Sequence, residues 1–328
     1  MKILLNVLLL VVGFVALIKG ADWFVDGSAG LAKNFRVPGL IIGLTIVALG
    51  TSAPELAVST SAALAGSNEI ALSNVVGSNI FNLLVVLGSC AVIRGVPVEE
   101  TAIVKRDFPI SIIGTLFVLF ACCGSVIFSG QMFKMSMADQ AGTVYRWVGI
   151  TLLIVFIGYI LYLIHDARKN PTEEDEIEKK PVGMCFVLIL IGIGLIVAGG
   201  ELVVDNAKEI ARALGMTETL IGLTVVALGT SLPELATSIV AARKGEVGLA
   251  VGNAIGSNIF NLMLILGVSS TIHPVAVNIA SVYDMFVLIA ISILTMVFAM
   301  SGKKIKRWEG AVMLLAYIAE TVFAIMRG

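Results

Sequence analysis

Charged side chains are scarce in this sequence, since Asp, Glu, Lys and Arg make up 14% of its 328 residues. Soluble domains carry about 25% charged residues, so this composition argues against a soluble globular protein. The net charge is −1 and no basic tract occurs, which gives no indication of a nucleic-acid partner. Metal-ligand spacing of cysteines is also missing, and we expect the four cysteines to be small buried hydrophobic residues: Cys90, Cys122, Cys123 and Cys185.

Apolar residues are abundant instead: they form 58% of the chain, and the mean hydropathy is +1.01. Apolar runs of about 18 residues or more recur along the chain, which is the length that spans a bilayer. These runs are continuous, whereas the strands of a membrane β-barrel alternate apolar and polar residues. No small-residue cleavage site follows the first run, so we interpret it as a membrane helix and not a signal peptide. The composition predicts an all-α polytopic membrane protein that resides in a lipid bilayer.

Polar breaks between the apolar runs predict about ten transmembrane helices. The predicted spans are 3–30, 38–65, 70–93, 107–127, 145–164, 182–211, 217–242, 247–272, 281–301 and 309–326. A charged segment, "HDARKNPTEEDEIEKKP", separates the fifth span from the sixth. It is interpreted as a solvated linker that divides the helices into two groups of five.

The two groups repeat each other in sequence. "GLTIVALGTSAPELAVS" from Gly43 returns as "GLTVVALGTSLPELATS" from Gly222. "SNVVGSNIFNLLVVLG" from Ser73 returns as "GNAIGSNIFNLMLILG" from Gly252. The offset is 179 residues in both cases, and it is kept through polar, Gly and Pro positions. A duplicated five-helix unit explains this better than chance similarity between apolar segments.

An odd number of helices per copy means that the second copy enters the membrane in the opposite sense. Lys and Arg concentrate in the loops on the linker side, which predicts both termini outside and the linker in the cytoplasm. Inverted repeats of this kind are typical of secondary transporters. The predicted domains are a first five-helix repeat, a charged linker and a second five-helix repeat, at 1–164, 165–181 and 182–328. The repeated motifs lie within 39–88 and 218–267.

Glu55 and Glu234 occupy equivalent positions inside apolar helices. An ionised carboxylate near the bilayer centre costs at least about 2.5 kcal/mol, so such residues are rare and usually functional. In an inverted duplication the two carboxylates can meet at the midplane and share a cation. A protonated structural carboxylate is the alternative, but it leaves the symmetry and the neighbouring prolines unexplained.

Pro54 and Pro233 lack a backbone N–H and are predicted to break their helices, freeing carbonyls one turn earlier. Hydroxyl and amide side chains near the breaks add further oxygen donors. Oxygen ligands without Cys, Met or His select a hard cation such as Ca²⁺ or Na⁺ over zinc or copper. The neutral candidate ligands are Ala48, Thr51, Ser52, Ser78, Asn82, Ala227, Thr230, Ser231, Ser257 and Asn261.

The asparagines of the two GSNIFN blocks have a second interpretation, because amide side chains also hold membrane helices together. We assign Asn79 and Asn258 to helix packing. Asn82 and Asn261 are assigned to ion binding, since each shares a helical face with the serine four residues earlier.

The paired GTSxPE and GSNIFN blocks resemble the alpha repeats of the cation/calcium exchanger superfamily, on the prokaryotic sodium/calcium exchanger branch. This resemblance implies a Ca²⁺ site formed by Glu55 and Glu234 with the backbone oxygens of Thr51 and Thr230. It also implies flanking Na⁺ sites, which share these residues and add Ala48, Ser52, Ser78, Ala227, Ser231 and Ser257. We place Asn82 and Asn261 with the Na⁺ ligands.

Two features of the motifs bear on ion choice. Some members of the superfamily, including potassium-dependent ones, carry Asp where this chain has Asn261, which argues against potassium co-transport here. Proton-coupled members generally carry a Gly-Asn-x-x-Glu pattern in place of GTSxPE, which favours Na⁺ coupling.

The sequence therefore predicts a secondary active antiporter that exchanges Ca²⁺ for Na⁺ by alternating access, in the cell membrane of a prokaryote. We expect no cofactor and no obligate protein partner. The alternative is a Ca²⁺/H⁺ or other cation/proton antiporter on the same fold. An intramembrane hydrolase is disfavoured because no Gly-x-Gly-Asp signature occurs. A channel is disfavoured because buried charge in inverted halves fits alternating access better.

Overall fold

The computed structural model describes residues 2–64, 69–97, 103–169, 180–214, 229–302 and 304–327. The helices before the charged linker are α1 (Lys2–Phe35), α2 (Gly39–Ile42), α3 (Ala48–Thr51), α4 (Ala53–Leu64), α5 (Glu69–Phe81), α6 (Gly88–Arg94), α7 (Phe108–Phe128) and α8 (Arg146–Lys169). Those after it are α9 (Val182–Ala213), α10 (Leu232–Lys244), α11 (Val247–Ile259), α12 (Leu266–Ile272), α13 (Ile279–Met300) and α14 (Arg307–Arg327).

Short π-helical segments interrupt or extend several helices, at Gly43–Val47, Asn82–Leu87, Ile103–Asp107 and Phe260–Ile265, and a 3₁₀ turn covers Gln131–Phe133. The described part of the chain also contains four short strands: β1 (Val96–Pro97), β2 (Gln140–Val144), β3 (Val275–Asn278) and β4 (Lys304–Ile305). β1 pairs antiparallel with β4, and β2 pairs antiparallel with β3, with Val144 opposite Val275.

Within the described residues, eight helical segments are long and apolar enough to cross a membrane. The number is nine if Gly39–Thr51 and Ala53–Leu64 form one interrupted span. These nine correspond to nine of the predicted spans. The remaining one, 217–242, falls partly on residues outside the described ranges, and α10 covers its last part. A polytopic helical membrane protein is thus confirmed, whereas the count of ten stays a prediction.

The chain forms two compact units. The first consists of Met1–Pro54 with Leu163–Gly256, and the second of Glu55–Tyr162 with Ser257–Gly328. Each unit draws on both sequence repeats. Two of the three boundaries between the units fall inside the repeated motifs, after Pro54 and after Gly256, and the third follows Tyr162.

α1 and α9 pack closely in the first unit through glycines. A Cβ atom on Gly13 would lie 2.9 Å from the carbonyl oxygen of Gly199, and one on Gly20 would lie 2.8 Å from that of Gly192. Only glycine permits such backbone contact between membrane helices. Because residue numbers rise along α1 while they fall along α9, the two helices are antiparallel. They are the first helices of the two repeats, and an inverted duplication requires this orientation.

The segment from α2 to α3 packs parallel to α11, also in the first unit. A Cβ atom on Gly43 would lie 2.8 Å from the Cα of Gly252, and one on Gly256 would lie 2.9 Å from the Cα of Leu44. This close approach places the end of α3 beside the polar residues of α11.

The second unit contains a buried polar cluster at the start of α7. Arg106 contacts the fully buried Asp107 at 2.7 Å, and the hydroxyl of Tyr159 donates to Asp107 at 3.0 Å. The cluster satisfies a carboxylate that would otherwise be costly inside the protein. The expectation for the four cysteines is confirmed, since all of them are buried and none forms a disulfide in the described part of the chain.

Candidate cation-binding site

Glu55 and Glu234 occupy the same local position in their helices. Ser52 (φ −85°, ψ 5°) ends α3, and α4 begins at the next residue. Ser231 (φ −97°, ψ 7°) has nearly the same conformation and precedes α10. Each glutamate is therefore the third residue of a helix, and both are buried, with 1% and 0% of their surface exposed.

The helix interruption in the first repeat lies at Ser52, two residues before Pro54, and in the second repeat α10 begins after Ser231, one residue before Pro233. Pro54 and Pro233 are the second residues of α4 and α10. Proline is well tolerated in a first helical turn, because its missing N–H has no intrahelical partner there. The Ala48 carbonyl, which we expected to be freed, accepts a hydrogen bond from the Ser52 N–H at 2.9 Å. The Thr51 hydroxyl also lies 3.4 Å from this oxygen, so the Ala48 carbonyl is not freed in this structure.

The first turn of a helix favours a negative charge. Its unpaired N–H groups and the positive end of the helix dipole stabilise a nearby carboxylate by about 0.3–1 kcal/mol, and more in buried geometries. This effect lowers the cost of ionised Glu55 and Glu234.

Ser52 contacts the glutamate of the other repeat. Its Oγ donates to Oε1 of Glu234 at 2.9 Å, and both residues lie in the first unit. The hydroxyl proton points to the carboxylate, and a hydroxyl that donates in this way can still act as an acceptor through its oxygen. Sequence analysis predicted Ser52 as a ligand but did not predict this contact.

Asn253 was missed by the sequence analysis, although it lies in a repeated block. It is fully buried on α11, where its Oδ1 accepts from the Thr51 hydroxyl at 2.9 Å. Its Nδ2 donates to the Ser238 hydroxyl at 2.9 Å and to the main-chain oxygen of Glu234 at 3.2 Å. Asn253 thus connects α3 to α10 within the first unit. Its repetition as Asn74 was the signal that could have identified it.

The same asparagine–serine contact occurs in the second unit. Nδ2 of Asn74 donates to the hydroxyl of Ser59 at 3.4 Å, and these residues are 179 positions before Asn253 and Ser238. The local arrangement recurs at the repeat offset, which supports the duplication.

The GSNIFN asparagines form a buried cluster in the second unit. Nδ2 of Asn79 donates to the main-chain oxygen of Asn258 at 3.2 Å, and Nδ2 of Asn258 donates to that of Asn79, also at 3.2 Å. Nδ2 of Asn261 donates to Oδ1 of Asn79 at 3.1 Å. The amide atoms of the buried Asn82 have no hydrogen-bond partner in the described part of the chain. Asn79 and Asn258 thus have the packing contacts expected of them.

The other predicted ligands are distributed over both units. The first unit contains Ala48, Thr51, Ser52, Thr230, Ser231 and Glu234, and the second contains Glu55, Ser78, Asn82, Ser257 and Asn261. Thr230 is half-buried and the rest are buried. Ala227 lies outside the described residues.

An ion-pair cluster lies at the end of α10, in the first unit. Nζ of Lys244 is 2.7 Å from a carboxylate oxygen of Asp22 and 2.6 Å from one of Asp26. Asp26 also contacts Lys180 at 3.3 Å. Partial burial lowers the pKa of Lys244, but the two carboxylates outweigh this effect and the pKa is raised. The cluster connects α1 to α10.

Comparisons with a family profile, with related sequences and with solved structures all indicate the same protein family. The profile described as sodium/calcium exchanger protein matches residues 5–165 and 184–326. Sodium/calcium exchanger MaX1 of Methanosarcina acetivorans is 34% identical, with 97% of each chain covered. Inner membrane protein YrbG of Escherichia coli is 35% identical over 89% of this chain and 87% of its own.

A solved structure of the sodium-calcium exchanger NCX_Mj matches with a TM-score of 0.79 and 33% identity. The match covers 97% of this chain and 98% of the other. The fold of this chain is thus the helical membrane fold of that exchanger. The chain belongs to the sodium/calcium exchanger family, whose members are membrane transporters and not enzymes.

Proposed function

We propose that this protein is a secondary antiporter that exchanges Ca²⁺ for Na⁺, with Glu55 and Glu234 providing the charge of the ion site. One observation carries the proposal: in both repeats a fully buried glutamate is the third residue of a helix that directly follows a serine of non-helical conformation. The first turn of a helix stabilises a buried carboxylate, and buried carboxylates in membrane helices are usually functional, so these two are suited to bind a mobile cation.

The ligand chemistry fits Ca²⁺ and Na⁺. Two carboxylates carry a charge of −2, which one Ca²⁺ neutralises. Ca²⁺ prefers about six to eight oxygen ligands, so neutral oxygens must complete its coordination. We assign the carbonyls of Thr51 and Thr230 to Ca²⁺. The Na⁺ ligands are the two glutamates with Ala48, Thr51, Ser52, Ser78, Asn82, Ala227, Thr230, Ser231, Ser257 and Asn261.

Shared ligands provide the coupling. A site with two ionised glutamates and no cation is costly to move through a low-dielectric interior, whereas the Ca²⁺-loaded and Na⁺-loaded forms are compensated. Exchange by alternating access follows, because only loaded forms cross. The close glycine contacts of α1 and α9 make these helices suited to move together as one piece.

Na⁺ is favoured over K⁺ and H⁺ as the coupling ion. Asn82 and Asn261 are both neutral, so the two glutamates alone set the charge of the site, which is −2. The contact of Ser52 with Glu234 adds a hydroxyl ligand beside a carboxylate, which suits a hard monovalent cation.

Uptake of radiolabelled Ca²⁺ into vesicles containing the purified protein tests the proposal. Vesicles loaded with Na⁺ and diluted into Na⁺-free medium should accumulate Ca²⁺, and a sodium ionophore should abolish the accumulation. Accumulation driven by a proton gradient but not by Na⁺ would establish the proton-coupled alternative. Single-channel currents would contradict an antiporter of either kind.

We further propose a location in the cell membrane with both termini outside and the charged linker in the cytoplasm. The bias of Lys and Arg towards the linker-side loops supports this orientation. In intact cells, a membrane-impermeant thiol reagent should label a cysteine added at the C-terminus of the protein. It should not label a cysteine added to the linker. The reverse labelling would invert the orientation.

A further inference from the structure

The reciprocal contact between Asn79 and Asn258 commits the amide nitrogens of both side chains. Each Nδ2 donates to the main-chain oxygen of the other residue at 3.2 Å. Both side chains are buried, with 0% and 1% exposed. Their Oδ1 atoms are therefore the acceptors that this pair offers to neighbouring side chains.

Asn79 uses its Oδ1 to hold Asn261. Nδ2 of Asn261 donates to this oxygen at 3.1 Å, which fixes the orientation of the planar Asn261 amide. Oδ1 of Asn261 must then point away from Asn79. This oxygen is buried and has no hydrogen-bond partner among the described residues.

An asparagine can bind a cation only through its oxygen, because its nitrogen is a donor. A freely rotating amide would present either atom, so a ligand asparagine needs an acceptor that holds its nitrogen. Residues that orient the ligands of a metal affect its affinity although they do not contact it.

We propose that Asn79 is a positioning residue for Na⁺ binding, which holds Asn261 so that its Oδ1 faces the ion. This inference rests on the proposed function, since Asn261 is one of its Na⁺ ligands. Asn79 itself contacts no ion and acts through Asn261.

Asn258 provides a matched control within the same pair. Its Nδ2 makes the equivalent bond to Asn79, but its Oδ1 has no partner in the described ranges. Asn79→Ala and Asn258→Ala each remove one arm of the reciprocal contact. Only Asn79→Ala also removes the acceptor that orients Asn261.

The experiment measures transport in vesicles for the wild type and both variants. Asn79→Ala should raise the Na⁺ concentration needed for half-maximal Ca²⁺ exchange by about tenfold. Asn258→Ala should raise it by less than about twofold, since the ligand orientation is kept. Exchange of Ca²⁺ for Ca²⁺ without Na⁺ should persist in both variants, because Asn261 is assigned to Na⁺.

A second measurement separates positioning from packing. In an Asn261→Ala background, adding Asn79→Ala should not change the Na⁺ dependence further, because the oriented group is already gone. If the alanine variants do not fold, Asn79→Leu and Asn258→Leu repeat the comparison with side chains of similar shape.

Equal Na⁺ shifts in Asn79→Ala and Asn258→Ala would overturn the positioning role and leave a packing pair. An additive effect in the Asn261→Ala background would also overturn it. A wild type that shows no Na⁺-dependent exchange would instead overturn the proposed function, and this inference with it.

Discussion

The two GSNIFN blocks, Gly77–Asn82 and Gly256–Asn261, have identical sequences but different hydrogen bonds. Both blocks end α-helices and lead into π-helical segments, so the local backbone is nearly the same. Asn261 donates to Asn79, whereas Asn82 has no hydrogen-bond partner within the described ranges. Sequence determines the helix here, and the packed neighbours determine the polar contacts.

The two GTSxPE blocks differ in a similar way. The hydroxyl of Thr51 donates to Asn253 at 2.9 Å, whereas that of Thr230 has no hydrogen-bond partner among the residues described. In the proposed alternating-access mechanism one repeat moves against the other, so the two copies need not make equal contacts.

The largest expected effect tests whether the two copies share one site. Glu55→Gln and Glu234→Gln should each reduce Ca²⁺ transport by at least about a hundredfold, because each removes one of two charges that compensate Ca²⁺. Glu309→Gln is the control, since Glu309 is also buried but lies outside the repeated motifs, where it accepts hydrogen bonds from Ser301 and the Lys306 N–H. Ca²⁺ uptake in vesicles measures all three. Retained transport in either site variant would locate the ion elsewhere.

The next effect concerns the asparagine–serine contact that both units share. Asn253→Ala should lower the free energy of unfolding by about 2–3 kcal/mol, because it removes three hydrogen bonds between buried groups. Asn74→Ala should cost about 1 kcal/mol or less, since it removes the contact with Ser59 alone. Thermal unfolding of the purified variants measures the difference. Equal losses would show that the contacts of Asn253 with Thr51 and with the Glu234 main chain contribute little to the free energy of unfolding.

A smaller effect is expected when each ligand asparagine gains a charge. Asn82→Asp should lower the half-saturating Ca²⁺ concentration by about tenfold, because it adds a negative charge to the site. Asn261→Asp should change Ca²⁺ affinity less, because one oxygen of its carboxylate would be repelled by the acceptor oxygen of Asn79. The same substitution should alter the Na⁺ dependence of transport. Transport at varied Na⁺ and Ca²⁺, with thermal unfolding as the folding control, measures both. Unchanged Na⁺ and Ca²⁺ dependence in Asn261→Asp would show that Asn261 is not an ion ligand.

The smallest effect compares the equivalent aspartates of α1 and α9. Asp26 contacts Lys244 and Lys180, whereas Asp205 contacts Lys208 and its side chain is 72% exposed. Asp26→Asn should lower the free energy of unfolding by about 1 kcal/mol at low salt, and Asp205→Asn by about zero, since exposed ion pairs contribute little. Thermal unfolding at low and high salt measures this. A salt-independent loss for Asp26→Asn would exclude an electrostatic origin.

Much of the fold could be predicted from the sequence because a bilayer restricts the choices. Long apolar runs must form helices in lipid, so nine of the predicted spans recur in the described structure. Helix interruptions were predicted at Pro54 and Pro233; the first lies at Ser52, and the helix that contains Pro233 begins after Ser231. A proline has no N–H for the carbonyl four residues earlier and is best tolerated in a first helical turn, so a new helix begins just before it; a serine ahead of that helix leaves the helical conformation at low cost.

The polar contacts could not be predicted in the same way. Nothing in the sequence shows that Ser52 donates to Glu234 or that Asn253 connects Thr51 to α10. Ser52 and Glu234 are 182 positions apart, and Thr51 and Asn253 are 202 positions apart. The repeat identified Asn74 and Asn253 as equivalent residues. It did not reveal which of them makes three contacts.

The sequence by itself determined the membrane-spanning helices, the duplicated motifs and the two buried glutamates, because hydrophobic length and a constant repeat offset are local properties of the chain. Only the tertiary structure decided that the amide of Asn261 is held by Asn79 and that Ser52 contacts the carboxylate of Glu234. Hydrogen bonds need a donor and an acceptor at about 3 Å, and that distance depends on how separate helices pack.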